Sequence, residues 1–196
     1  MLLNVARTLE RSAANGPGER FVLWVQGCPI GCPGCWNPDT WSFAPRTLRD
    51  TRDLADEILV TRGIEGVTFS GGEPFSQASA LADLARRVRS AGLSVFVFTG
   101  YELRELRSPA HQLLLGLSDV VVSGRYVERE RRASLGWRGS ANQQVHFLTK
   151  RYGPNDRRRS PEFEIHLDSA GNGVVTGFPV ALIADELPPH GMVDRS

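Results

Sequence analysis

The sequence is sparing with several residue types. It has three cysteines, two methionines and three tyrosines, and Lys150 is its only lysine. Three cysteines cannot pair off into a disulfide framework, and all of them lie within positions 28–35. They therefore read as thiols of a reducing compartment and as ligand candidates. Net charge is also nearly absent, with Lys+Arg 23 against Asp+Glu 22. Overall balance thus gives no argument for a nucleic-acid partner or an acidic tail. Long apolar runs are missing too: the uncharged stretch 21–38 contains three glycines, three prolines and the three cysteines, which break a membrane helix before about 20 residues are spanned. No basic segment leads into an apolar one at the start, and no small-residue cleavage site follows, so a cytoplasmic protein without a membrane partner is expected.

What is present suffices for one buried core. At 196 residues and 41% hydrophobic the chain is short for two domains. The expected division is a core over 1–150, a basic loop over 151–161, and a C-terminal β-hairpin with a loose tail over 162–196. Charge is uneven locally. Between Arg125 and Arg159 nine arginines and Lys150 face only Glu128, Glu130 and Asp156, an excess of seven positive charges (ten against three). Such a stretch is either a solvated face or a docking surface for an anionic partner.

Apolar runs alternate with helical patterns, which predicts βα units and a largely parallel sheet. Strands are expected at 20–26, 66–70, 93–98, 119–123 and 143–149. The Leu48, Leu54, Ala55, Ile58 and Leu59 stripe predicts a helix over 47–60, and Leu81, Leu84, Ala85 and Val88 predict another over 76–91, stopped by Gly92. A helical stretch over 102–117 is interrupted near Ser108-Pro109. Beyond a loop at 152–161, the runs 163–167 and 173–178 form the terminal hairpin. Trp24 and Phe96 fall mid-strand as core, and His146 and His166 read as hydrogen-bonded structural residues.

Two motifs carry chemistry. Cys28, Cys32 and Cys35 sit in a loop loosened by Pro29, Gly31, Pro33 and Gly34, directly after the strand 20–26. Three thiolates bind three of the four irons of a cubane cluster and leave the fourth open for chemistry. A structural zinc would need a fourth ligand, and His111, His146, His166 and His190 are all distant in sequence. The second motif, Val67-Thr-Phe-Ser-Gly-Gly-Glu-Pro-Phe75, runs a strand into two glycines and an acid. By itself it is a tight βα turn. Next to the cysteine loop on one parallel sheet edge, it becomes a place where a ligand approaches backbone closely.

Together these motifs resemble the radical S-adenosylmethionine superfamily. The segment from Asn15 to Trp41, Phe98-Thr-Gly-Tyr101, and Trp137-Arg-Gly-Ser-Ala-Asn-Gln143 are similar to the activating proteins of glycyl radical enzymes, in particular the group that serves anaerobic ribonucleotide reductase. The resemblance covers most of the chain up to about Thr149. It implies an α/β fold, an incomplete (β/α) radical S-adenosylmethionine barrel with the C-terminal β-hairpin as an appendage. It further implies a [4Fe-4S] cluster on Cys28, Cys32 and Cys35 whose open iron chelates S-adenosyl-L-methionine. Reductive cleavage would release methionine and a 5′-deoxyadenosyl radical that takes a hydrogen atom from a glycine of a partner protein. An electron donor such as flavodoxin or ferredoxin would serve it.

By the same resemblance, Gly71, Gly72 and Glu73 would meet the methionyl amino group, Thr99 the methionyl end, and the backbone of Gly34, Cys35 and Trp36 the adenine. A bulky side chain at Gly72 would then block the cofactor while sparing the cluster. Three positions depart from the pattern. Gly34 stands where many members have an aromatic residue, although the ribonucleotide-reductase activators share the glycine. Trp36 replaces a common His, and Ser123 precedes Gly124 where the activators carry Asp, which puts handling of the target glycine in question. The rival functions are a stand-alone radical enzyme modifying a small molecule, peptide or RNA, and a non-enzymatic iron–sulfur electron carrier.

Overall fold

The fold is a computed structural model, described for residues 1–132, 135–167, 173–178 and 192–193. It is a mixed α/β arrangement around a seven-stranded sheet in the order β3-β1-β2-β4-β5-β6-β7. Its strands are β1 (Leu2–Ser12), β2 (Arg20–Val25), β3 (Thr47–Asp50), β4 (Gly66–Gly71), β5 (Ser94–Thr99), β6 (Val120–Ser123) and β7 (Gln144–Phe147). The centre is parallel: β2, β4, β5 and β6 pair in that order. Helices α1 (Thr51–Val60), α2 (Ala78–Ser90) and α3 (Pro109–Gly116) connect them. All three lie on one face, as same-handed crossovers require. There Leu54, Ile58, Leu81, Leu84, Val88 and Leu114 pack on Phe21, Leu23, Val25, Val67, Phe69, Val95, Val97 and Val121. The alternate strand residues Phe96, Val120 and Val122 pack with Trp137 on the other face, and Val22 and Trp24 with Ala6.

Several expectations change. Strand β1 was not anticipated from the sequence: its core positions Leu3 and Val5 are followed by Arg7, Glu10 and Arg11, which obscure the alternation, and the register shifts between Val5 and Arg7. Strand 20–26 is therefore the second strand. The helix expected over 47–60 begins only at Thr51, because Thr47–Asp50 pairs with β1 and Asp50 caps the helix by accepting from Arg52 N at 2.8 Å. The 102–117 stretch resolves into a 3-10 turn at Leu103–Glu105 and α3, with Ser108 as N-cap and Pro109 in the first turn. The last expected strand, β7, runs antiparallel to β6. His146 is hydrogen-bonded as expected, its Nε2 2.8 Å from Ser123 Oγ.

The C-terminal hairpin forms as β8 (Phe163–Leu167) and β9 (Gly173–Gly177), and its turn lies outside the described residues. Most of the expected tail does too, but Met192 and Val193 form β10, which pairs with β9 and makes a three-stranded sheet. This sheet docks on the loop after β1. Glu164 accepts from Ser12 Oγ at 2.5 Å and from Ala13 N at 3.1 Å, while Asn15 Nδ2 donates to Thr176 Oγ1 at 2.6 Å.

At the edge where the parallel strands begin, Arg20 is fully buried. Its guanidinium donates to Thr68 Oγ1, Pro17 O, Ser94 Oγ, Val67 O and Ser94 O at 2.8–3.2 Å. Burial lowers its pKa, and the hydroxyl of Tyr152 counters this. Gly66 accommodates it: a Cβ there would lie 2.6 Å from the guanidinium and 2.4 Å from Ser94 O.

Candidate metal centre

The opposite edge, where β2, β4 and β5 end, gathers the chemistry. The cysteine loop leaves β2 at Gln26 and returns at Trp41. Its base is closed by Gly27 N donating to Thr40 O at 2.8 Å and Cys28 N to Trp41 O at 3.0 Å. Gln26 Nε2 adds a bond to Ser42 O at 2.8 Å. Inside, Gly31 and Gly34 adopt φ of 59° and 71°, the left-handed region that glycine enters without strain. Half-buried Arg7 braces the returning limb: it stacks over Trp24 at 4.8 Å and donates to Asn37 Oδ1 and, at 3.3 Å, to Asp39.

One pocket contains Cys28, Cys32, Cys35, Trp36, Gly71, Gly72, Glu73 and Thr99 among its lining residues. Thus two loops separated in sequence meet there, as the parallel order predicts. Gly34 does not line it; its Cα faces Glu128, whose carboxylate carbon would be 2.6 Å from an added Cβ. Trp36 lies in the lining with the Arg131 guanidinium 4.5 Å from its ring.

The thiols are free, half-buried, and supplied with backbone donors. Asn37 N donates to Cys35 Sγ at 3.4 Å. Burial raises the Cys28 thiol pKa, opposed by the amides of Gly31 and Ile30; burial likewise raises Cys32, opposed by the amide of Tyr126. Three thiols with N–H groups turned to their sulfurs are the donor set of a thiolate-held iron–sulfur cluster. No fourth Cys and no His stands among the described lining residues, and no group of three His, Cys, Asp or Glu among the described residues is placed for a single ion. A closed tetrahedral zinc site needs four such ligands gathered on one ion.

Glu73 is the one carboxylate of the described lining, and it is fully buried. Oε1 accepts from Phe75 N at 2.9 Å and Thr99 Oγ1 at 2.8 Å, and Oε2 accepts from Gly100 N at 2.8 Å. Burial raises its pKa to about 7 despite these three bonds. Its carboxylate ties the β4 turn to the end of β5. Gly72 is held as tightly: an added Cβ would lie 2.4 Å from Gly27 O and 3.0 Å from Thr40 O. A side chain there collides with the base of the cysteine loop, so the expectation that the cluster would be spared does not fit this geometry.

Among the lining residues that sequence reasoning missed are Phe98, Gly100, Tyr126, Gln143 and Phe178. Phe98 in a strand run and Gly100 just after Thr99 were findable; Phe178, whose ring is 6.1 Å from that of Phe98, was not, since its segment lies far along the chain. Ser123 does not line this pocket.

The comparisons agree with this donor set. A family described as "4Fe-4S single cluster domain" matches residues 14–146, which include both loops and all four parallel strands. That makes the class an iron–sulfur protein with a single 4Fe-4S cluster domain. Proteins named anaerobic ribonucleoside-triphosphate reductase-activating protein are similar over most of their own length. That of Vibrio cholerae is 39% identical over 144 residues, 69% of this chain and 92% of the relative. That of Escherichia coli K12 is 38% identical over 142 residues, 68% and 92%, and that of Enterobacteria phage T4 is 29% identical over 150 residues, 73% and 93%. The chain belongs to the family of these reductase-activating proteins. Among the described residues, no helix is long and apolar enough to cross a membrane.

Proposed function

We propose that this protein activates a glycyl radical enzyme, an anaerobic ribonucleoside-triphosphate reductase, using a [4Fe-4S] cluster on Cys28, Cys32 and Cys35 and S-adenosyl-L-methionine. The observation that carries the reading is the meeting of the three thiols with the Gly71–Gly72–Glu73 turn and Thr99 in one pocket at the C-terminal edge of parallel strands. When bound, the cluster supplies one electron to S-adenosylmethionine, whose cleavage gives methionine and a 5′-deoxyadenosyl radical able to take hydrogen from a partner's glycine.

The chain's own residues do the positioning. Cys28, Cys32 and Cys35 would hold the cluster through three thiolates, and without a fourth cysteine its remaining position would be open to the cofactor. Since Glu73 already spends both oxygens on Phe75, Thr99 and Gly100, its role is to hold the turn, so that backbone of Gly71 and Gly72 meets the methionyl end. Cys35 and Trp36 lie beside the adenine, and Thr99 acts through Glu73. We read β2, β4, β5 and β6 as the incomplete barrel, 1–150 as the radical core, and 162–196 as an appendage. The setting is cytoplasmic, with a flavodoxin or ferredoxin as electron donor.

The test is electron paramagnetic resonance of the anaerobically reconstituted, reduced protein with S-adenosylmethionine and the anaerobic reductase of its own genome. A glycyl radical signal on the reductase, with one methionine and one 5′-deoxyadenosine formed per radical, is expected. Deoxyadenosine without any glycyl signal would move the assignment to a stand-alone modifying enzyme. An intact cluster that neither binds nor cleaves S-adenosylmethionine would leave an electron carrier.

A further inference from the structure

A second cavity, of about 490 Å³, is separate from the thiols. Its described lining comprises Arg132, the run 135–138, Pro154, Arg157 and the run 160–162, with Ala14 and Phe178. The volume lies in the range of small-molecule sites, about 300–1,000 Å³. Within it, two cations converge on one carbonyl: Arg138 Nε donates to Leu135 O at 3.2 Å, and Arg157 Nη2 donates to the same oxygen at 2.6 Å. The two guanidiniums repel. Burial first, and then the charge of Arg157, lower the Arg138 pKa.

Neither arginine forms an ion pair among the described residues. Arg157 Nε is buried without a hydrogen-bond partner. Arg138 spends Nη1 on Ala141 O and Gln143 O and, among the described residues, has no bond from Nη2. Arg132 lines the same space and, among the described residues, bonds the carbonyls of Arg129 and Arg131 through Nη1. Glu162 is the one carboxylate in the described lining, and it has an interaction of its own. Three arginines against one glutamate leave a net charge of +2 among the described lining residues.

The pair is held in place rather than free to separate. Trp137 Nε1 donates to Ser160 Oγ at 2.9 Å, joining the two segments, and Arg157 crosses Gly136 so closely that an added Cβ would lie 3.3 Å from its side chain. Leu135, Pro154, Pro161 and Phe178 give apolar walls, which strengthen any charge-assisted bond made inside. Guanidinium forks match the oxygens of phosphate and carboxylate.

We propose that this cavity is an oxyanion site, which takes the phosphate or carboxylate group of a small molecule between Arg138 and Arg157. The anion offsets their repulsion and satisfies the unspent N–H groups, while the apolar walls receive the rest of the molecule.

Calorimetric titration of the full-length protein tests this with sodium tripolyphosphate in one arm and tricarballylate, a tricarboxylate, in the other. One saturable site is expected for at least one of them, weakening as salt rises, and the tighter arm identifies the group. Arg157→Gln and Arg138→Gln should each weaken it about tenfold or more, the scale of a lost charge-assisted hydrogen bond, and the exposed Arg52→Gln should not. No saturable binding in either arm, or equal loss in all three variants, overturns the proposal. Should a variant fail to fold, phenylglyoxal labelling of the unaltered protein decides: the tighter anion should protect Arg157 and not Arg52, and equal labelling of Arg157 with and without it refutes the site. These readouts need no radical chemistry, so their failure leaves the proposed activity standing.

Discussion

Replacing Gly72 by Ala adds a single carbon, and the surroundings decide what it does. That carbon would lie 2.4 Å from Gly27 O, 2.8 Å from Gly27 C and 3.0 Å from Thr40 O, all of them backbone atoms. Ordinary contact begins near 3.4 Å, so Gly27 must recede by about 1 Å (3.4 less 2.4). Two hydrogen bonds run through that peptide: Gly27 N to Thr40 O and Glu73 N to Gly27 O, each 2.8 Å. Overpacking costs about 1–3 kcal/mol and each weakened bond about 1 kcal/mol, for a total of about 3–5 kcal/mol. That is a large share of a typical domain stability of about 5–15 kcal/mol. Because Gly27 immediately precedes Cys28, the distortion falls on the cluster loop itself. Urea unfolding should show a lower midpoint, and iron and sulfide analysis after anaerobic reconstitution should show well under a full cluster per chain. Gly116→Ala is the control: nothing lies within 4 Å of its added carbon, and at the end of α3 it should be neutral or slightly stabilising. A Gly72→Ala protein with a full cluster and an unchanged midpoint would refute the packing argument, and would restore the idea that a side chain there only displaces cofactor.

Glu73 makes stability depend on pH. Its folded pKa, about 7, lies above the ordinary 4.5, so the native state holds a proton that the unfolded chain releases. Stability should therefore fall as pH rises from about 4.5 to 7, by about 3 kcal/mol for a shift of that size, and then level off. Urea titrations at several pH values should find that slope, and Glu73→Gln should lack it; an identical slope in both would assign the dependence to other groups. Arg20→Met removes the five hydrogen bonds of a buried guanidinium and leaves Thr68, Ser94 and three carbonyls short of donors. A loss of about 3–5 kcal/mol in chemical denaturation is expected, and a change under 1 kcal/mol would show that the cluster of bonds is energetically idle.

Much of the site was written locally. Cys28, Cys32 and Cys35 lie within one short loop, and glycine and proline between them favour a turn over core packing, so their spacing made them candidate cluster ligands. Gly71-Gly72-Glu73 ends a β-branched run, and its place at a strand terminus followed from the period of the residues before it. Helices α1 and α2 were legible from their apolar stripes for the same reason. The edges of the sheet were harder. Leu2–Ser12 mixes charge into its alternation, and Thr47–Asp50 continues smoothly into a helical pattern, so only pairing with β1 separates strand from helix.

The amino-acid sequence by itself determined which groups are available: three thiols, two flexible glycines, one acid and an arginine-rich second half, because spacing and composition are properties of neighbours along the chain. Tertiary structure decided what each group does, because burial and partners depend on residues far away. Glu73 became a fully bonded strut through Thr99 and Gly100, Gly72 a contact with the cysteine loop's backbone, and Arg20 a buried cation satisfied by four other residues. Arg138 and Arg157, nineteen positions apart, meet on one carbonyl of Leu135 only because the chain folds back there, and no periodicity in the sequence records that meeting.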